Sequence, residues 1–201
     1  MTDAAMAWGR ALVAYVSWVL VHAAGGAIFA VAVVYAIPQN QWSPLAFTVD
    51  GLVAGVIFGL GQWLVLEWMF GRMYWWLLAT VPASPASWLV GYVIAFATLG
   101  LGGWIGALVP AAAQTLVLSV SFKRGPRGST LPLALAWFPA AMLGAIAFYS
   151  NFVAVLNRRG GSPVELIAIG CIVFGALTGL VIAGLAATVA RSSAGSRPRR
   201  A

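Results

Sequence analysis

Long apolar stretches alternate with short polar connections along this chain. Asp, Glu, Lys and Arg are absent from residues 73–122, 128–157 and 166–190, and Asp50 is the only such residue between positions 11 and 66. A helix needs about 20 apolar residues to cross a bilayer. The pattern therefore predicts six membrane-spanning helices, at about residues 11–36, 45–70, 73–97, 101–122, 131–156 and 164–190.

Two short patterns recur along these spans. In the even-numbered spans, small residues spaced four apart lead to a polar residue and an aliphatic run, with the polar residue at Gln62, Gln114 and Thr178. The odd-numbered spans carry a tryptophan and, four residues later, a second aligned position: Trp18 with His22, Trp76 with Thr80, and Trp137 with Ala141. Internal repeats of this kind indicate one supersecondary unit that is copied along the chain.

Two spans per unit return the chain to the same side, so the three units share one orientation, as in parallel repeats. We expect an all-α integral membrane protein in which three parallel two-helix repeats, at about 11–70, 73–122 and 131–190, form a pseudo-threefold bundle. Residues 1–190 then make a single domain. Small residues four apart allow helix backbones to approach closely, which favours packing within the bundle, although the same motif suits a homodimer face.

Composition and charge support this class of protein and predict its topology. The chain is 62% hydrophobic and only 7% charged, with a mean hydropathy of +0.96, whereas about a quarter of residues in soluble domains are charged. The basic residues lie mainly at the N-terminus, after even-numbered spans and in the tail at 191–201, and Arg and Lys favour the cytoplasmic side. We expect a multi-pass protein of the bacterial inner membrane with both termini cytoplasmic and a basic, disordered tail. Basic residues that only separate spans do not indicate nucleic-acid binding.

One segment resembles a family of bacterial multi-span membrane proteins. The resemblance is carried by Gly55-x-x-x-Gly59-x-x-Gln62-Trp63-Leu64-Val65-Leu66, followed by Trp75-Trp76-Leu77-Leu78-Ala79-Thr80. It covers the second and third spans well and the others more loosely. In the family pattern a Gly-Trp-x-x-x-Gly stretch follows, whereas here Val81-Pro82-Ala83-Ser84-Pro85 intervenes. The resemblance implies the multi-span architecture and carries no activity over.

The polar residues of the two repeats predict a candidate site. At a rise of 1.5 Å per residue, Gln62, Gln114 and Thr178 fall within roughly 7 Å of the centres of their spans. His22 lies at a similar depth, and Thr80 adjoins it in the repeat. We predict that these five residues form a polar belt near the midplane, either bonded to one another across helices or lining a wet path. Pro110 has no N–H to donate to the carbonyl of Gly106, so this carbonyl is free to add a polar group near Gln114.

His22 is the only histidine, and an ionisable residue inside a span is a functional hypothesis by default. Three roles are compatible with the sequence. His22 is a neutral residue bonded to a glutamine, an axial ligand to a haem or chlorophyll-type pigment, or a proton-sensitive gate.

Few other residues offer chemistry. Asp50 begins the second span on the side where Arg158 and Arg159 lie, so we predict an ion pair at the outer surface. One His, one Cys and four dispersed acids cannot assemble a zinc site within one chain, and no metal site is expected. No paired carboxylates and no nucleophile with its base are present, which excludes the common enzymatic arrangements. We expect the lone Cys171 to serve packing.

The sequence leaves three functions open. The first is a non-enzymatic accessory or scaffold subunit of a larger membrane complex, which contacts lipid and other membrane proteins and is compatible with a homo-oligomer. The second is a small-solute transporter or channel whose path passes through the polar belt. The third is pigment binding through His22. A cavity that reaches the belt would favour the second function.

Overall fold

Almost all of the residues that the structure describes are helical, and none of them forms a strand. The computed structural model describes residues 3–36, 43–98, 102–123, 130–156 and 162–194. Its helices are α1 (Asp3–Val31, continued by a wider π-helical turn at Ala32–Ala36), α2 (Pro44–Phe70), α3 (Tyr74–Thr98), α4 (Gly102–Gly106), α5 (Leu108–Lys123), α6 (Leu131–Leu156) and α7 (Pro163–Ala194).

Six helical segments are long and apolar enough to cross a membrane, which confirms the predicted number of spans. They are Ala4–Tyr35, Pro44–Phe70, Tyr74–Ile94, Trp104–Phe122, Leu131–Asn151 and Pro163–Ser192. Large apolar side chains such as Leu12, Leu64 and Leu116 are exposed on the outside of the bundle, where a lipid-facing surface requires them.

The prolines act differently from one span to the next. α3 continues through Pro82 and Pro85, and α6 continues through Pro139. The fourth span is interrupted at Ala107, between α4 and α5, three residues before Pro110. Proline has no N–H to donate to the carbonyl four residues earlier, so the regular hydrogen bonding of this span stops at Gly106.

The spans pack in a closed ring in chain order. Each span contacts the next one along the chain, and the most extensive contact joins α7 to α1, which closes the ring. We call the half of the bundle where α1 begins and α7 ends the inner half, after the predicted topology. The other half is the outer half, and residues 37–42, 99–101 and 157–161, which connect spans there, lie outside the described residues.

Small residues of the repeats lie at these helix contacts. A Cβ built on Gly51 would lie 2.6 Å from the Cα of Pro85 in α3, and one built on Gly55 would lie 2.8 Å from the Val81 carbonyl oxygen. In α7, a Cβ on Gly175 would lie 2.6 Å from the Cβ of His22 in α1. These motifs therefore bring helices of the same chain together, as expected for small residues in membrane helices.

A tight turn sets α3 directly after α2. Gly71 has a positive φ of 67° and donates its N–H to the Glu67 carbonyl at 2.8 Å. The Glu67 carboxylate accepts hydrogen bonds from the N–H groups of Arg72 and Met73, at 2.9 and 2.7 Å. Glu67 thus satisfies backbone donors at the start of α3 and has a capping role.

Candidate functional site

The five predicted belt residues lie inside the bundle. His22, Gln62, Thr80, Gln114 and Thr178 are all at most 4% exposed. Buried polar groups are stable only when they are hydrogen-bonded, so the partners of these side chains determine what the belt can do.

Each of the three repeated tryptophans donates its indole N–H to the polar residue of an adjacent span. The bonds are Trp18 Nε1 to Thr178 Oγ1 at 2.9 Å, Trp76 Nε1 to Gln62 Oε1 at 3.1 Å, and Trp137 Nε1 to Gln114 Oε1 at 3.2 Å. An indole N–H is a donor only, so it must face an oxygen. Both glutamine oxygens are therefore turned toward a tryptophan, and both amide nitrogens point elsewhere.

The amide nitrogen of Gln62 is hydrogen-bonded to His22. His22 Nδ1 lies 2.9 Å from the carbonyl oxygen of Trp18, which can only accept, so Nδ1 carries the proton. Its Nε2 lies 3.0 Å from Gln62 Nε2, which can only donate. Nε2 is then an acceptor, and His22 is neutral in this arrangement. The first of the three roles predicted for His22, a neutral residue bonded to a glutamine, describes its geometry.

Gln114 links Thr80 to Gln62. Its amide nitrogen donates to Thr80 Oγ1 at 3.1 Å and makes a longer contact of 3.5 Å with Gln62 Oε1. His22, Gln62, Gln114 and Thr80 thus form a continuous chain of hydrogen bonds across α1, α2, α5 and α3. Thr178 is tied to the belt through Trp18, and its own hydroxyl donates to the Phe174 carbonyl at 2.8 Å.

The three tryptophans also contact one another. Their ring centroids are 5.1 to 6.1 Å apart and the rings meet edge to face, which is a favoured aromatic geometry. All three side chains are fully buried. Each tryptophan lies one helical turn closer to the inner half than the aligned position that follows it in the repeat, which is His22, Thr80 or Ala141. We call Trp18, Trp76 and Trp137 the tryptophan cluster. It closes the bundle on the inner side of the belt.

A cavity of about 130 Å³ lies on the opposite side of the belt. Its floor is formed by His22, Gln62, Thr80 and Gln114, and it extends past small residues of α2, α5 and α6. On every helix the other lining residues lie on the outer side of the belt position. They include Gly55, Phe58, Ser84, Ser87, Pro110, Ala145, Phe148, Tyr149, Cys171 and Phe174.

The cavity walls differ in chemistry. Phe58 and Phe174 both stack on the His22 ring, with centroids 5.8 and 5.4 Å away. Ser84, Ser87 and Tyr149 bring hydroxyl groups, and Ser87 Oγ lies 3.5 Å from the Tyr149 hydroxyl. No Asp, Glu, Lys or Arg lines the cavity in the part of the chain that the structure describes.

This geometry does not fit an axial ligand to a pigment. Both ring nitrogens of His22 already have a hydrogen-bond partner, and two phenylalanine rings stack on the imidazole. A cavity of about 150 Å³ holds one benzene molecule, so a macrocycle is far too large for the space of about 130 Å³ beside His22. Among the described residues, no group of three His, Cys, Asp or Glu side chains could hold a metal ion.

Asp50 lies apart from the belt, three turns toward the outer end of α2. It is buried, and its Oδ1 has no hydrogen-bond partner among residues 3–36, 43–98, 102–123, 130–156 and 162–194. Arg158 and Arg159 lie outside the described residues, so the ion pair with Asp50 stays a prediction.

Sequence reasoning missed part of the site. The sequence predicted no hydrogen-bonding role for the repeated tryptophans, yet Trp76 and Trp137 are the donors that orient both glutamines. Their signal was present, because each precedes an aligned belt position by four residues, which is one helical turn. Phe58, Phe174 and Tyr149 carried no such signal, since phenylalanine and tyrosine are common throughout membrane helices.

Replacing Thr178 by valine is expected to lower the free energy of unfolding by about 1–2 kcal/mol, because the buried Trp18 indole loses its acceptor. Unfolding in mixed micelles, titrated with a denaturing detergent, measures the loss. Thr115→Val is the matched control, since the Thr115 hydroxyl bonds only to the Ala111 carbonyl of its own helix. Equal losses in the two variants would contradict the role assigned to Thr178.

Comparison with known proteins adds no assignment to this geometry. No family model, no curated protein and no solved structure matches the chain.

Proposed function

We propose that this protein is a small-solute transporter or channel, whose path enters the cavity of the outer half and leads to the polar belt. The observation that supports this proposal is that the cavity ends on polar side chains rather than on an apolar floor. These side chains belong to His22, Gln62, Thr80 and Gln114. Concave sites with mostly apolar walls and a few convergent polar groups are typical of small-molecule binding.

The tryptophan cluster supports a pathway that is open on one side only. The cavity lies above the belt, while the fully buried indoles of Trp18, Trp76 and Trp137 fill the bundle below it. Alternating access requires one side to be closed while the other admits the solute. The described conformation corresponds to the inward-closed state of such a cycle.

The repeats are part of this proposal. Three units of a tryptophan-led span and a small-residue span would place three equivalent polar positions around one axis, at Gln62, Gln114 and Thr178. The recurrent indole bonds to these residues support it. The cavity departs from threefold symmetry because the position equivalent to His22 and Thr80 is Ala141, which has no polar side chain and lines the cavity. We propose that both termini lie in the cytoplasm, as the distribution of basic residues predicts.

The accessory-subunit function needs a helix-contact surface on the outside of the bundle. Small residues that would supply it, such as Gly51, Gly55 and Gly175, are instead in contact with helices of the same chain. The cavity has no part in that function. We therefore favour solute binding over a scaffold role, and purification with stoichiometric partner subunits would reverse this order.

Cysteine accessibility tests whether the cavity admits solute. In a Cys171→Ala background, Ala54→Cys places a thiol on the cavity wall and Ala134→Cys places one in the apolar core beside the tryptophan cluster. Methyl methanethiosulfonate is small and uncharged, and intact-protein mass spectrometry in proteoliposomes counts its adducts. We expect the thiol at position 54 to react at least about tenfold faster, because thiol modification requires access as well as ionisation.

The two variants are matched, since both replace a buried alanine on a membrane-spanning helix. Cys171→Ala alone gives the background. Equal, slow labelling of both thiols in monodisperse protein would show a closed bundle and would overturn the proposed function.

A further inference from the structure

The belt offers more hydrogen-bond donors than it uses. Gln62 Nε2 has two N–H groups, and in the described part of the chain one of them is bonded, to His22. Thr80 Oγ1 accepts from Gln114, and its own O–H has no acceptor among the described side chains and carbonyls. The acceptor oxygen of Gln62 is already occupied, because Oε1 accepts a hydrogen bond from Trp76 Nε1 and a longer one from Gln114 Nε2.

These surplus donors lie on one wall of the cavity. Gln62 belongs to α2 and Thr80 to α3, which are adjacent in the ring. Ser84 lies one turn above Thr80 and also lines the cavity, and no hydrogen bond of its hydroxyl is formed within the described residues. One amide N–H and two hydroxyls are therefore available on the α2–α3 side.

The facing wall is mostly apolar, and its hydroxyl group, that of Tyr149 on α6, lies 3.5 Å from Ser87 Oγ. α6 and α7 contribute Ala141, Ala145, Phe148 and Phe174 to the lining. A solute that fills the cavity must therefore present an acceptor to α2 and α3 and an apolar body to α6 and α7.

A charged solute is excluded from the cavity on physical grounds. His22 is neutral in the belt, and no Asp, Glu, Lys or Arg lines the described cavity. An ion that enters this space loses its hydration and gains no counter-charge, which is costly at membrane depth. The size is limited as well, since about 130 Å³ is slightly less than the cavity that holds benzene.

We propose that the cavity selects small uncharged solutes that present a carbonyl-type oxygen, such as short-chain amides, and that Gln62, Thr80 and Ser84 donate to this oxygen. This inference rests on the proposed function, because it assumes that the cavity admits solute. The solute has up to about five non-hydrogen atoms, slightly fewer than benzene.

Protection against labelling tests the proposal. The Ala54→Cys, Cys171→Ala protein in proteoliposomes is labelled with methyl methanethiosulfonate in the presence of acetamide or of propylammonium. These two probes have the same number of non-hydrogen atoms, but propylammonium is charged and has no acceptor. We expect acetamide to slow the reaction in a saturable way and propylammonium to leave the rate unchanged at equal concentration.

Variants of the donor wall locate the binding site. In the same background, Thr80→Val and Ser84→Ala each remove one donor, and we expect the half-protecting concentration of acetamide to rise about five- to tenfold. Thr80→Ser retains the hydroxyl and should stay within twofold of the parent. Ser84→Ala disturbs no hydrogen bond of the belt, so it reports on binding even where Thr80→Val weakens folding.

Each outcome is informative. Labelling without protection by acetamide, or equal protection by both probes, overturns the solute class while the open cavity stands. Protection that is unchanged in Thr80→Val and Ser84→Ala overturns the assigned donors. Absence of labelling overturns the proposed function and this inference with it.

Discussion

Replacing Trp76 by alanine is expected to lower the free energy of unfolding by about 3–5 kcal/mol, the largest effect of any single substitution that we predict. The Trp76 side chain is fully buried, and it contacts both Trp18 and Trp137 edge to face. Its removal leaves a large cavity in the inner half. It also deprives Gln62 Oε1 of its shortest hydrogen bond.

The neighbouring residue provides a matched control. Trp75 is 55% exposed on the outside of the bundle, so Trp75→Ala removes the same side chain from a lipid-facing position. We expect a loss of less than about 1 kcal/mol, because little packing is lost there. Detergent-denaturant unfolding of both variants measures the difference. Similar losses would show that the tryptophan cluster is not the core of the bundle.

The Trp76→Phe variant separates packing from hydrogen bonding. It retains an aromatic ring in the cluster but cannot donate to Gln62. We expect a loss of about 1–2 kcal/mol, which is the range measured for hydrogen bonds between membrane helices. A loss as large as that of Trp76→Ala would assign most of the effect to the indole N–H.

Gly51→Ala and Gly55→Ala are each expected to lower the free energy of unfolding by about 1–3 kcal/mol, the typical cost of an added methyl group in a packed interface. The new Cβ would lie 2.6 Å from the Pro85 Cα at position 51 and 2.8 Å from the Val81 carbonyl oxygen at position 55. Both neighbours are backbone atoms of α3. Backbone cannot rotate away as a side chain can, so α2 and α3 must separate.

Gly9→Ala is the control for helix propensity. A Cβ at position 9 meets no atom within 4 Å, and alanine is a better helix former than glycine by about 1 kcal/mol. We therefore expect Gly9→Ala to be neutral or stabilising in the same unfolding assay. Destabilisation at position 9 that matches the loss at positions 51 and 55 would contradict close packing of α2 on α3.

Much of the fold could be predicted from the sequence because it depends on local properties. A membrane-spanning helix is recognised by the length of its apolar run, and six such runs give the six spans of the structure. Helix bounds were less accurate. α1 begins at Asp3 rather than near position 11, because Arg10 is compatible with a helix at the membrane surface.

The break in the fourth span shows that the effect of a proline on its helix cannot be predicted from the sequence alone. Pro82, Pro85, Pro110 and Pro139 all lie within spans, yet α3 and α6 remain continuous and only the span with Pro110 is interrupted, at Ala107. A local rule states that proline removes one hydrogen bond. Whether the helix then continues depends on the helices that pack around it.

The residues of the candidate site could be predicted from the sequence, but their hydrogen-bond partners could not. Alignment of the repeats identified His22, Gln62, Thr80, Gln114 and Thr178 by their shared depth, since a helix converts residue number into distance along its axis. The sequence alone did not show which of them bond to one another. Trp18 and Thr178 are separated by 160 residues, and their hydrogen bond exists only because α7 packs against α1.

The sequence by itself determined the six apolar helices, their repeated polar positions and the scarcity of charge, because each follows from residue type and helical spacing. Only the tertiary structure decided that the ring of helices closes through α1 and α7, that three indoles fill the core of its inner half, and that a cavity lies on the outer side of the belt. These features depend on the relative placement of distant side chains, and a void has no residue of its own to mark it in the sequence.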